Sequence, residues 1–162
     1  MTSGQVIVRV ADLRAGHGAD VLVTVGLGSC VAILLHDPHA RVGGMAHVLL
    51  PSPALARKDT NPAKFPQTAL PRLLELMGRH GSSTRRVTAR LVGGASMFGG
   101  LAQPGTIQMG ERNVVACRQV LYDHGLALTG EATGGDYGRT VKLWASDGRV
   151  EVSSVAHGVQ TL

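Results

Sequence analysis

The sequence predicts an α+β protein, a single-domain sandwich of largely antiparallel β-sheet with helices packed outside. Three observations carry that expectation. Apolar and polar residues alternate with period two over Gln5–Val10, Val87–Val92, Arg139–Ala145 and Arg149–Val155, as strands with one buried face require. Two other segments place apolar residues at helical spacing, Leu70, Leu73, Leu74 and Met77 in one and Val114, Cys117 and Leu121 in the other. No internal repeat, low-complexity tract or linker divides the 162 residues, so one domain over 1–162 is expected. A chain of that length buries about two-thirds of its unfolded surface without metals or disulfides.

The elements follow in order. Val6, Val8 and Val10 open the chain with a strand. Val21–Leu35 is an uncharged run of 15 residues interrupted by Gly26, Gly28 and Ser29. A membrane-spanning helix needs about 20 apolar residues, so the run reads as two strands and a turn. Val31–His36 is then a strand, Asp37–Arg41 a turn and Val42–Leu50 the returning strand. Ser52–Lys64, flanked and interrupted by Pro51, Pro53 and Pro62, is a loop expected to border whatever site the hairpin carries. A helix begins near Thr68, with Pro71 tolerated in a first turn whose amides lack acceptors. The second helix runs over Glu111–His124 and ends at Gly125. Ser146-Asp147-Gly148 joins the last two alternating runs into a C-terminal hairpin.

Composition narrows the function. Hydrophobic residues make up 44% of the chain, with 22 glycines but only two Phe, two Tyr and one Trp, which describes a Val, Leu and Ala core rich in turns. The net charge of +5 comes from scattered basic residues, and so few aromatics leave no stacking platform, so a nucleic-acid partner is not expected. A basic surface does favour encounter with an acidic protein partner. The start Met1-Thr2-Ser3-Gly4-Gln5 lacks a basic stretch followed by an apolar core, so neither a signal peptide nor membrane insertion is expected and the cytoplasm is the expected compartment. There is no Cys-x-x-Cys or His-x-x-x-His spacing, and His36-Asp37-Pro38-His39 reads as a solvated turn, so no metal is expected. Gly26-x-Gly28 is followed by Val31 and a strand where a dinucleotide fingerprint has glycine and a helix, and no cofactor is expected. Gly93-Gly94-Ala95-Ser96-Met97-Phe98-Gly99-Gly100 lacks the Lys-Ser/Thr ending of a phosphate loop and reads as a tightly packed turn.

The chemistry rests on Cys30 and His47. Cys30 ends the glycine-rich run from Thr24, and His47 lies on the returning strand, where an antiparallel hairpin brings it back towards the start of the first strand. A thiol attacks only when a neighbouring base or helix N-terminus draws off its proton, and an imidazole is the natural partner. The ordinary alternative is a small buried thiol beside a core histidine, which the glycine-rich approach and the hairpin spacing disfavour. Cys117 shares a helix stripe with Val114 and Leu121 and is expected to be structural.

Five motifs occur in one order: Thr24–Cys30; Gly44-Met45-Ala46-His47 with Leu50-Pro51; Gly93–Phe98; Gly110-Glu111-Arg112-Asn113; and Gly134–Arg139. Together they resemble the CheD family of chemoreceptor glutamine deamidases, over about Gln5 to Val155. The resemblance implies a protein-glutamine glutaminase that converts receptor glutamines to glutamates, with a catalytic arrangement similar to that of papain-like and cytotoxic-necrotizing-factor deamidases. It implies Cys30 as nucleophile, His47 as general base and acid, Thr24 as the orienting third member, and methyl-accepting chemoreceptors as substrate. The chain departs from the family where a Tyr-Ala-Asp run is usual, having Phe65-Pro66-Gln67.

The expected mechanism is acyl transfer through a thioester, with backbone amides of the Gly28-Ser29-Cys30 turn holding the oxyanion. Another thiol amidase or a transglutaminase-like enzyme would share this chemistry. An alternative of a different class is a chemotaxis adaptor that chiefly binds and modulates a CheC-type phosphatase.

Overall fold

The computed structural model describes residues 4–97 and 108–162, which form ten strands and two α-helices. One five-stranded sheet has the order β1 (Gln5–Ile7), β3 (Val21–Leu27), β8 (Arg139–Trp144), β9 (Val150–Ser154), β10 (Gly158–Thr161). The other has the order β2 (Leu13–His17), β5 (Val42–Val48), β4 (Val31–Asp37), β6 (Thr88–Gly93), β7 (Ala127–Thr133). Only β1–β3 and β6–β7 pair in parallel. The helices are α1 (Pro66–Gly78) and α2 (Met109–Asp123). The α+β sandwich expected from the sequence is what forms, with the helices outside.

The layers run sheet, sheet, helices. Leu22, Leu27, Val141 and Leu143 of the first sheet meet Ala32, Leu34, Met45 and Val92 of the second. The opposite face of the second sheet presents Ile33, Leu35, Ala46, Val48 and Leu91 to Leu70, Leu73 and Met77 of α1 and to Val114, Cys117 and Leu121 of α2. Because that sheet is covered on both faces, β4 and β5 are buried along their whole length, and β4 reads in the sequence as a continuous apolar run. Gly44 lets α1 approach, since a Cβ there would lie 2.7 Å from Met77 Sδ.

Several boundaries differ from the sequence expectation for local reasons. The opening strand stops at Ile7, although Val8 N–H still donates to Val23 O. β5 stops at Val48, because the N–H groups of Leu49 and Leu50 turn to Lys64 O. α1 starts at Pro66, so Pro71 lies in its second turn and not its first. Ser52–Lys64 is a loop with 3-10 turns at Pro53–Leu55 and Pro62–Lys64. Phe65-Pro66-Gln67 anchors the start of α1, where Phe65 is buried, Pro66 opens the helix, and Gln67 Nε2 donates to Pro51 O.

Candidate active site

β3 carries a bulge that shapes the site. Thr24 pairs with Val141 and Leu27 with Arg139, so three steps on β3 match two on β8. Without the extra residue Leu27 would face the side opposite Thr24, yet both are fully buried while Val25 between them is exposed. Gly26 takes φ +74 at this point, a conformation glycine adopts freely. The bulged strand then delivers the chain into the Gly28-Ser29-Cys30 turn.

Thr24 reaches across the sandwich to His47. Its Oγ1 lies 2.6 Å from Val8 O and 2.7 Å from His47 Nδ1. A carbonyl oxygen only accepts, so the single hydroxyl proton goes to Val8 O and Thr24 Oγ1 accepts from Nδ1–H. That fixes the tautomer: Nε2 carries the lone pair, and it is buried without a hydrogen-bond partner among the described residues. The backbone of His47 is equally fixed, with Ala11 N–H donating to His47 O and His47 N–H to Asp12 O. Asn61, from the loop after the β5 end, supports this segment by donating to Ala11 O.

Cys30 faces the same inter-sheet side. Ala32 is the register partner of His47, and Cys30, two residues earlier, packs against the same inter-sheet cluster. Such a cross-strand diagonal spans roughly 7–8 Å. No hydrogen bond joins Cys30 Sγ to His47 Nε2 in this structure. Cys30 is half-buried and Cys117 fully buried.

Every carbonyl of the cysteine turn is tied down. Ala95 N–H donates to Gly28 O, Asn113 Nδ2 to Ser29 O, and Gly94 N–H to Cys30 O, at 2.8–2.9 Å. The approach is close enough that a Cβ on Gly93 would lie 2.3 Å from Cys30 O, and one on Gly110 2.4 Å from Ala95 O. With the carbonyls turned into the protein, none of the N–H groups of Gly28, Ser29 and Cys30 donates to a backbone carbonyl of the described residues. Residues Phe98, Gly99 and Gly100 of the glycine-rich loop lie outside the described residues.

Burial favours the neutral form of both candidate side chains. Burial pushes the Cys30 thiol above its ordinary value, against a smaller pull downward from its own backbone N–H. Burial lowers His47 from 6.5 to about 4. The pair is therefore thiol and imidazole and not thiolate and imidazolium. Burial alone raises the Cys117 thiol far above its ordinary value. Among the described residues no group of three His, Cys, Asp or Glu side chains could hold a metal ion.

Residues 49–154 match the family model described as CheD chemotactic sensory transduction. The chain belongs to the CheD family. Three relatives carry the name probable chemoreceptor glutamine deamidase CheD. That of Caldanaerobacter subterraneus is 39% identical, covering 94% of each chain. That of Clostridium novyi is 36% identical over the whole of both chains. That of Archaeoglobus fulgidus is 40% identical over 91% of this chain and 92% of its own. The family-model match begins two residues past His47. The near-full-length relatives are what extend the likeness over Thr24, Cys30 and His47.

Sequence reasoning placed the thiol, the imidazole and the threonine in one region, and the structure brings Thr24 and His47 into contact. It gave no role to Asn113, whose signal was its place in the Gly110–Asn113 motif. Nor did it see that Gly94 and Ala95 wrap the cysteine turn, although the Gly93–Phe98 motif marked that stretch. No helix among the described residues is long and apolar enough to cross a membrane.

Proposed function

We propose that this chain is a protein-glutamine deamidase acting on methyl-accepting chemoreceptors, with Cys30 as nucleophile, His47 as general base and acid, and Thr24 as orienting residue. The observation that carries the mechanism is the Thr24 hydroxyl. By donating to Val8 O and accepting from His47 Nδ1–H, it leaves on Nε2 a buried lone pair with no partner among the described residues, and Cys30 packs against the same inter-sheet cluster. The names of the relatives supply the reaction and the substrate class.

The steps follow from the neutral pair. His47 Nε2 takes the Cys30 proton as the sulfur attacks the carboxamide carbon of a glutamine side chain. The negative charge that develops on the carboxamide oxygen is met by N–H groups of the Gly28-Ser29-Cys30 turn. The C–N bond breaks, His47 returns its proton to the departing nitrogen, and ammonia leaves a thioester on Cys30. Water then gives a proton to His47 and attacks the thioester. The product is glutamate, and the thiol is restored. Thr24 differs from an aspartate in this position: it aims the imidazole without a charge that would stabilise the imidazolium, in keeping with the low pKa of His47.

The test is to incubate the protein with the cytoplasmic helical fragment of a receptor from the same organism and map deamidated peptides by mass spectrometry. A specific receptor glutamine gains the deamidation mass. Unmodified receptors together with tight binding of a CheC-type phosphatase would establish the adaptor role instead. Efficient hydrolysis of free glutamine would overturn the protein substrate class, and incorporation of an added amine in place of water would mark a transglutaminase.

A further inference from the structure

Asn113 is a fully buried asparagine on the first turns of α2. Its Nδ2 donates to Ser29 O at 2.9 Å and to Leu49 O at 3.2 Å. Both partners are carbonyls, which only accept, so the amide can sit in one orientation alone, and its Oδ1 is left buried with no partner among the described residues. The β4–β5 ladder ends at the pair Val31 and Val48. Asn113 therefore clasps the chain just beyond the ladder, at Ser29, two residues before Val31, and at Leu49, one residue after Val48.

The direction of the Ser29 carbonyl has a chemical consequence. Ser29 C=O and Cys30 N–H belong to one planar trans peptide and point opposite ways. Holding the oxygen against α2 turns the Cys30 N–H to the far side, where it lies against its own Sγ and pulls the thiol pKa down. The preceding peptide, Gly28 C=O with Ser29 N–H, is held through backbone alone by Ala95 N–H. Of the two peptides that could offer N–H groups to an oxyanion next to the sulfur, one is thus set by backbone and the other by the Asn113 side chain.

We propose that Asn113 is a positioning residue for the oxyanion hole. It fixes the Ser29–Cys30 peptide so that the Cys30 amide meets the charge formed when the thiol attacks the substrate carboxamide. This rests on the deamidase reading given above. Loss of one oxyanion donor costs roughly 10²–10³ in turnover. Alkylation of the same thiol by iodoacetamide displaces iodide and forms no oxyanion, so it reports the sulfur and its base alone.

The experiment compares Asn113→Ala and Asn113→Asp with the unaltered chain in three measurements: kcat and KM for receptor-fragment deamidation, the rate of Cys30 alkylation, and the melting temperature. The expected result is a fall in kcat of about 100-fold with KM nearly unchanged and alkylation within about threefold of the parent. Equal losses in alkylation and turnover would overturn the proposal and make Asn113 a general support of the cysteine turn. Unchanged turnover would overturn it outright. Should Asn113→Ala fail to fold, Asn113→Ser carries the same comparison, because its hydroxyl can satisfy one of the two carbonyls. If the unaltered chain alkylates at Cys30 but deamidates no receptor, the function reading has failed and the proposal falls with it; a defect confined to the Asn113 variants tests the proposal alone.

Discussion

Replacing Thr24 by valine keeps the side-chain shape and removes one oxygen. That oxygen holds two partners, Val8 O at 2.6 Å and His47 Nδ1 at 2.7 Å, and all three residues are 1% exposed or less. Two buried polar groups lose their partner together, at a cost of about 1–3 kcal/mol each, so the domain should lose about 2–6 kcal/mol of stability. The effect on turnover is separate. Without an acceptor for Nδ1–H the imidazole is free to carry its proton on Nε2, the nitrogen that receives the Cys30 proton in the proposed mechanism. A lost bias of about 1.4–2.7 kcal/mol corresponds to a kcat lowered about 10- to 100-fold. Thr24→Ser retains the hydroxyl and should recover most of that loss. The assay is receptor-fragment deamidation beside urea unfolding at neutral pH. Thr24→Val with lowered stability but the parent kcat would refute the reasoning, since Thr24 would then be a structural hydrogen bond and no more.

Alkylation of Cys30 should rise about tenfold per pH unit from pH 6 to 8, because the thiol is raised by burial and only its thiolate reacts; a flat rate over that range would mean a resting ion pair. Folded His47 stays neutral down to about pH 4, whereas an unfolded histidine protonates near 6.5. Between those values the unfolded chain holds the extra proton, so stability falls as pH drops through that window, by at most about 3 kcal/mol from this group. His47→Gln should remove that slope in urea unfolding at pH 7 and pH 4.5, and an identical loss in both proteins would rule out His47 as its source. Gly93→Ala combines φ +113 with a Cβ 2.3 Å from Cys30 O, so the cysteine turn must shift. We expect a melting temperature lowered by several degrees and most turnover lost, and a variant equal to the parent in both would contradict the packing of this loop on the turn.

The hairpin that carries Cys30 and His47 was legible because β4 and β5 are apolar runs joined by a turn at 38–41, although His36 and Asp37, expected in a solvated turn, are buried and close β4. β2 (Leu13–His17) and β7 (Ala127–Thr133) were not. Both are edge strands with mixed exposure, so neither shows clean alternation. β10 (Gly158–Thr161) is exposed throughout and owes its existence to pairing with β9, which no local pattern announces. In the site, Cys30, His47 and Thr24 could be named from residue type and motif. The contact of Asn113 with Ser29 could not, because it depends on α2 packing beside the turn 84 residues earlier in the chain. The same holds for the bulge at Val25 and Gly26. It is one residue of register between β3 and β8, fixed by a partner strand more than 100 residues away.

The central claim is that one thiol, Cys30, carries the chemistry while the other, Cys117, fills the helix-facing core. Single-turnover deamidation of a receptor fragment by Cys30→Ala and by Cys117→Ala, read by peptide mass spectrometry, tests it most directly. We expect no deamidation by Cys30→Ala and, from folded Cys117→Ala, turnover within about threefold of the parent despite a lower melting temperature. Retained deamidation in Cys30→Ala, or its loss in a folded Cys117→Ala, would contradict it.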